Sequence, residues 1–184
     1  MINKIKNKII TESYELRTRL INKHPAINIT QHLGQIQNIL IFMPDTPEQF
    51  PLAINICKNI KDHFVNSSLT LFLNKSLVPY LDMHLDAKVL SYSRDDLNRL
   101  GLLKRAFYGK INQPAFDLAV DLNPAFNLVH IAFLQNTTIP LKVCLDHDEK
   151  SPFFNFNIRV KDNHSIEKQY NTLVKYLTRI APIN

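Results

Sequence analysis

Three segments place carboxylates, amides and an imidazole directly after apolar runs of strand length. They are Pro44-Asp45-Thr46-Pro47-Glu48-Gln49, Asp121-Leu122-Asn123-Pro124 and Asp146-His147-Asp148-Glu149-Lys150. In an open parallel sheet, ligands bind at the carboxyl ends of the strands, so these loops are positioned to converge on one crevice. Asp45, Glu48 and Asp121 are the candidates for proton transfer, because a carboxylate there can accept a proton or hold sugar hydroxyls. Asp45, Thr46, Gln49, Asn123, Asp146 and His147 are the candidates for ligand contact. Three of these have a plainer use as well. Asp45 or Thr46 can cap a following helix, and Asp121 can close its own turn through backbone amides.

Other chemistries find little support. A phosphate cradle needs glycines so that backbone amides approach the phosphate closely, yet the whole chain holds three, and none lies in the first loop. Prolines there remove donors as well. No dinucleotide, nucleoside triphosphate or other cofactor is expected. Asp146, His147, Asp148 and Glu149 have the donors of a metal site. Neighbours along a loop rarely face one ion, however, and no second His or Cys stands at ligand spacing, so no metal is expected. The remaining histidines are scattered, and neither Cys57 nor Cys144 lies in a nucleophile motif. Both cysteines sit in apolar stretches and read as small buried hydrophobes.

The elements that would position these loops follow from periodicity. Residues 1–23 carry Ile2, Ile5, Ile9, Leu16 and Leu20 at helical steps between charged residues, and Pro25 ends them. This basic amphipathic helix can pack on the domain, on a second copy or on a membrane surface. From residue 38 the pattern alternates between strand and helix. Strands are expected at 38–43, 69–73, 88–90, 116–121 and 141–145, with 153–158 an edge strand or an anchored loop. Helices are expected at 47–64, 76–81, 94–109, 125–135 and 164–180. Continuous apolar strands separated by helices require right-handed crossovers and a sheet covered on both faces. The expectation is a single Rossmann-like α/β domain over 36–184, with a mostly parallel sheet of about five strands and an N-terminal helical extension over 1–35.

Composition bounds the function. The chain has 184 residues, 45% hydrophobic and 21% charged, which is ordinary globular usage. The net charge of +6 is concentrated in the first 23 residues and in 94–110, neither interleaved with aromatics, so specific nucleic-acid binding is not expected. No apolar run is long enough to span a bilayer and no signal-peptide core follows the basic start, which points to the cytoplasm.

The run Ile39-Leu40-Ile41-Phe42-Met43-Pro44-Asp45, its helix, the strand at 69–73 and the segment Phe116-Asp117-Leu118-Ala119-Val120-Asp121-Leu122 occur in a familiar order. Together they resemble the N-terminal half of glycosyltransferase family 9, the bacterial heptosyltransferases of lipopolysaccharide synthesis. The last segment is similar to the family's YDLVIDL strand, and the likeness extends over roughly residues 36–160. It implies a two-domain GT-B enzyme whose N-terminal half binds the acceptor and whose C-terminal half binds a nucleotide-sugar. The family's first loop carries a Gly-Asp pair whose aspartate is taken as the base. Glu48 and Gln49 correspond here, and a glutamine cannot act as a base, so Glu48 or Asp45 would have to substitute. The chain ends at Asn184 after one further helix, leaving no room for a donor half. The resemblance therefore implies a glycosyltransferase-like domain without independent catalysis, acting as a binding or interaction module for a sugar or lipid-linked sugar. Two alternatives stand beside it. One is the acceptor-binding subunit of a two-chain sugar transferase in cell-envelope polysaccharide synthesis, with a separate donor-binding subunit. The other is a structural protein using its basic N-terminal helix for homodimer or peripheral membrane contact.

Overall fold

The computed structural model describes residues 10–16, 27–81, 85–111, 115–161 and 164–181. Residues 10–16 are helical (α1), and the rest of the helix expected over 1–23 lies outside the described residues. A short helix α2 (Ile29–Leu33) leads into β1 (Asn38–Phe42), α3 (Phe50–His63), β2 (Ser68–Asn74) and β3 (Lys88–Tyr92). Then follow α4 (Arg105–Tyr108), β4 (Leu118–Asp121), α5 (Leu128–Gln135), β5 (Leu141–Leu145), β6 (Phe156–Ile158) and α6 (Ile166–Ile180). The six strands form one parallel sheet in the order β3-β2-β1-β4-β5-β6. The sixth strand is the Phe156–Ile158 segment that the sequence left open between strand and loop. No helix among the described residues is long and apolar enough to cross a membrane.

Alternation along the buried strands sends side chains to two layers. Ile39, Ile41, Leu69, Leu71, Leu118, Val120, Leu141 and Val143 pack with α3 and α6. Leu40, Phe42, Phe72, Ala119 and Cys144 pack with α5 and Phe107 of α4. Each buried Leu, Ile or Phe contributes on the order of 1.5–3 kcal/mol. Cys57 and Cys144 are buried and unpaired, as their surroundings suggested. Burial pushes the Cys144 thiol up to about 12, and the thiol donates to the Asn157 amide oxygen. Lys142, on the α5 face of β5, is a charged side chain hidden among apolar ones: it is 4% exposed, and burial lowers its pKa.

The amino edge is clipped by the side chain of Asp117, one residue before β4. Asp117 accepts hydrogen bonds from the backbone amides of Gln37 and Asn38 (3.0 and 2.9 Å), and His32 Nε2 lies 2.9 Å from its carbonyl oxygen. These contacts set the start of β1 beside β4.

The helix expected over 94–109 does not form. Ser93 and Asp96 make a capping box on a 3-10 turn at Arg94–Asp96. Asn98 Oδ1 then accepts from the amides of Leu100 and Leu102, and Leu97 pairs with Leu103 in an antiparallel bridge. Gly101 turns the chain at φ 76°, and helix resumes only at Arg105–Tyr108. Asn and Asp side chains offered the backbone local partners that outcompete helix bonds. The left-handed residue has open space around it, so substitution there acts through backbone strain alone. Gly101→Ala is expected to lower stability by about 1 kcal/mol, measured by urea unfolding.

Candidate functional site

The order of the strands creates the site. The chain runs from β1 outward through β2 to β3, then returns to place β4 on the other side of β1. The crossovers therefore diverge between β1 and β4, and in open parallel sheets the carboxyl ends of the strands at such a point are where ligands bind. The loops after these two strands carry Asp45 and Asn123.

Asp45 is exposed, yet both its oxygens are held. Asn123 Nδ2 donates to Oδ2 at 2.7 Å, and Asn127 Nδ2 reaches both Oδ1 and Oδ2 at 2.9 Å. Asn127 works in two directions. As the N-cap of α5 its Oδ1 accepts from the amides of Val129 and His130 (2.7 and 3.1 Å), while its amide nitrogen fixes Asp45. The carboxylate therefore sits by the positive end of α5. Tyr92, at the end of β3, completes the group. Its hydroxyl hydrogen-bonds with Asn127 and Asn74, while burial and then the nearby Asp45 charge push its phenol up to about 12. The result is one accessible carboxylate framed by amides and a phenol, drawn from the ends of β1, β2, β3 and β4.

The capping role considered for Asp45 and Thr46 is not what the fold uses. Thr46 occupies the N-cap of the Pro47–Gln49 turn without a side-chain capping bond, and α3 begins at Phe50. Asp45 instead turns across to β4. Glu48 is exposed on the Pro47–Gln49 turn, and neither it nor Gln49 joins the Asp45 cluster.

Beneath the exposed carboxylate lies a buried one. Asp121 closes β4, and its Oδ1 accepts from the Asn123 amide at 3.0 Å, the turn-closing use that the sequence allowed. It has a second use that the sequence did not suggest. Lys150 Nζ, fully buried, stands 2.8 Å from Asp121 Oδ2 and also donates to the Asn123 carbonyl oxygen. Burial alone would raise the Asp121 carboxyl, but the Lys150 charge and then His130 outweigh it and hold the group below the ordinary carboxylate range. The His130 ring stacks on Phe42 at 4.7 Å. Its Nδ1 is 3.4 Å from Asp121 Oδ1, a long contact, and its Nε2 has no hydrogen-bond partner among the described residues. At about 1% exposure Asp121 is out of reach of a ligand, so its part is to organise the turn.

The third loop divides. Only Lys150 turns inward to the β4 turn. Asp146 and His147 line a separate cleft of about 640 Å3 with Asp148, Arg159, Val160 and Lys161. There the Asp146 carboxylate accepts from Ser151 Oγ and Arg159 Nε, both at 2.7 Å, and these two partners lower its pKa. His147 Nδ1 accepts from the Glu149 amide at 3.3 Å. The single crevice expected from three loops is thus two sites. Among the described residues no group of three or more His, Cys, Asp or Glu side chains is arranged to hold a metal ion.

The six-stranded parallel sheet with helices on both faces is a Rossmann-like α/β fold, one shared with solved glycosyltransferase structures. Among solved structures the chain is similar to the heptosyltransferase WaaC of E. coli with ADP, at a TM-score of 0.59 and 10% identity over 76% of this chain. The same enzyme with ADP-2-deoxy-2-fluoro heptose is similar at a TM-score of 0.58 and 10% identity, again over 76% of this chain. The matched region spans 46% and 48% of those two chains, a little under half their length. No family model matches the sequence, and no curated protein matches it either.

Two outcomes follow for the buried pair. Lys150→Met leaves a carboxylate buried without its charge partner, and is expected to lower unfolding free energy by about 3–5 kcal/mol in chemical denaturation. Because the folded-state pKa of Asp121 is depressed, its contribution is in place above the ordinary carboxylate pKa near ~4 and is lost as pH falls through the folded value. Wild-type stability is therefore expected to decline on acidification below about pH 4. Asp121→Asn combined with Lys150→Met should flatten that decline.

Proposed function

We propose that the chain is a carbohydrate-binding module of glycosyltransferase type, taking sugar hydroxyls at the Asp45 cluster without independent catalysis. The observation that carries this reading is the Asp45 carboxylate, exposed yet fixed by the amides of Asn123 and Asn127 at the divergence of β1 and β4. A fixed carboxylate accepts bonds from vicinal hydroxyls, which suits a neutral polyol. The negative charge at the mouth, and a first loop without glycine, disfavour a phosphate in the same place. Glu48 and Gln49 stand where the resemblance puts the base-bearing pair, and both lie outside the cluster, which supports binding without turnover.

Titration of a panel of mono- and disaccharides, followed by calorimetry or ligand-observed NMR, tests this. Asp45→Ala and Asn127→Ala are expected to weaken binding about tenfold or more, the loss of bonds to a charged group. Glu48→Gln is expected to leave affinity unchanged. Wild-type affinity in Asp45→Ala would sink the reading.

One observation favours a second reading, the acceptor-side subunit of a two-chain sugar transferase: the chain corresponds to a little under half of the heptosyltransferase structures. A stoichiometric nucleotide-sugar-binding chain recovered by affinity purification from the native cell would support it, and recovery of none would overturn it.

A further inference from the structure

The Asp45 site has a support that reaches it from the far side of β4. Lys150 lies on the loop after β5, 27 residues beyond Asn123, and is buried. Its Nζ makes two contacts at once, to Asp121 Oδ2 at 2.8 Å and to the Asn123 carbonyl oxygen. The first contact anchors the amine at the end of β4. The second grips the backbone of the residue whose side chain donates to Asp45 at 2.7 Å. Asn123 is itself only 3% exposed, so the turn has little room to settle elsewhere while that grip holds.

We propose that Lys150 is a positioning residue of the Asp45 site, setting the Asn123 amide against Asp45 through the Asn123 carbonyl. The loop that delivers Lys150 is braced independently. Its backbone is closed by the bonds from the Lys150 and Ser151 amides to the His147 carbonyl, both at 2.9 Å, and Asp146 is pinned by Ser151 and Arg159. The amine thus enters the core from a loop whose shape is set by other contacts. Asn127 holds Asp45 from α5 without help from Lys150, so the two amides should respond differently when Lys150 is changed. That difference separates positioning from general stability.

The proposal concerns the site on which the sugar-binding reading rests, but its first readout needs no sugar. In NMR spectra of the full chain, the side-chain amide resonances of Asn123 and Asn127 report their bonds to Asp45. In Lys150→Met, the Asn123 Nδ2 resonances are expected to move to positions typical of a solvated amide, while those of Asn127 stay. Should that variant fail to fold, Asp121→Asn added to it removes the unpaired buried charge and allows the same measurement. Retention of the Asn123 resonances in the folded variant overturns the proposal, as does an equal shift of both amides. Sugar titration then gives a second readout. A loss of about tenfold is expected in the folded Lys150 variant, comparable to removing one bond to a charged group. Unchanged affinity in Asp45→Ala as well as in the Lys150 variant would reject the sugar site, while the amide spectra would still decide the role of Lys150.

Discussion

A carboxylate taken out of water at the end of a central strand must be given partners, and the packing around β4 answers that demand. Asp121 meets Lys150 on one oxygen and the Asn123 amide on the other. The attraction of a buried pair is offset by the loss of two hydration shells, so the pair adds little net stability. Its effect is on shape. The turn after β4 and the loop after β5 are both held to the course that satisfies these two oxygens. The Tyr170 hydroxyl donates to the Leu122 carbonyl within the same turn, which ties α6 to it from the opposite face. A strand from one half of the sheet, a loop from its edge and the last helix are thus joined at one point.

The Asp45 cluster above inherits that order. Parallel strands all end on one side, so the loops after β1 and β4 lie side by side there, at the point where the crossovers diverge. Asn127 links the two levels, since it caps α5 over the buried layer and fixes Asp45 at the surface. A carboxylate with two amide donors has little freedom to reorient, which lowers the cost of ordering when a ligand binds. The heptosyltransferase structures share this fold at 10% identity, which leaves function to be argued from the side chains at the site.

Legibility in the sequence followed the source of each element's order. The strands at 38–43, 69–73 and 141–145 were plain because burial on both faces imposes an unbroken apolar run. That same run concealed which residues face which layer, and Lys142 was read as part of it. The stretch 94–109 carried leucines at helical spacing, yet Ser93, Asp96 and Asn98 captured the backbone locally and Gly101 reversed it. Of the residues singled out for chemistry, Asp45 and Asn123 meet each other, Asp146 and His147 line a second cleft, and Glu48, Thr46 and Gln49 stand outside the cluster. Asn127, Tyr92 and Asn74 were missed. Asn127 had one available signal, an amide immediately before an apolar helix, which is an N-cap pattern. Tyr92 had none, because it ends an edge strand whose place beside β2 depends on the crossover.

What the sequence determined by itself was the alternation of strand and helix, the parallel sheet that follows from it, and the end of the sheet at which polar loops would gather. These depend on hydrophobic periodicity and on proline and cap residues, all local properties of the chain. The tertiary structure decided which of those polar residues touch. Asp45 and Asn123 are 78 residues apart and Lys150 is a further 27 beyond, and such pairs are set by strand order and by the cost of leaving a buried charge unpaired. Neither quantity can be read from spacing along the chain, because each depends on the environment that only the assembled sheet creates.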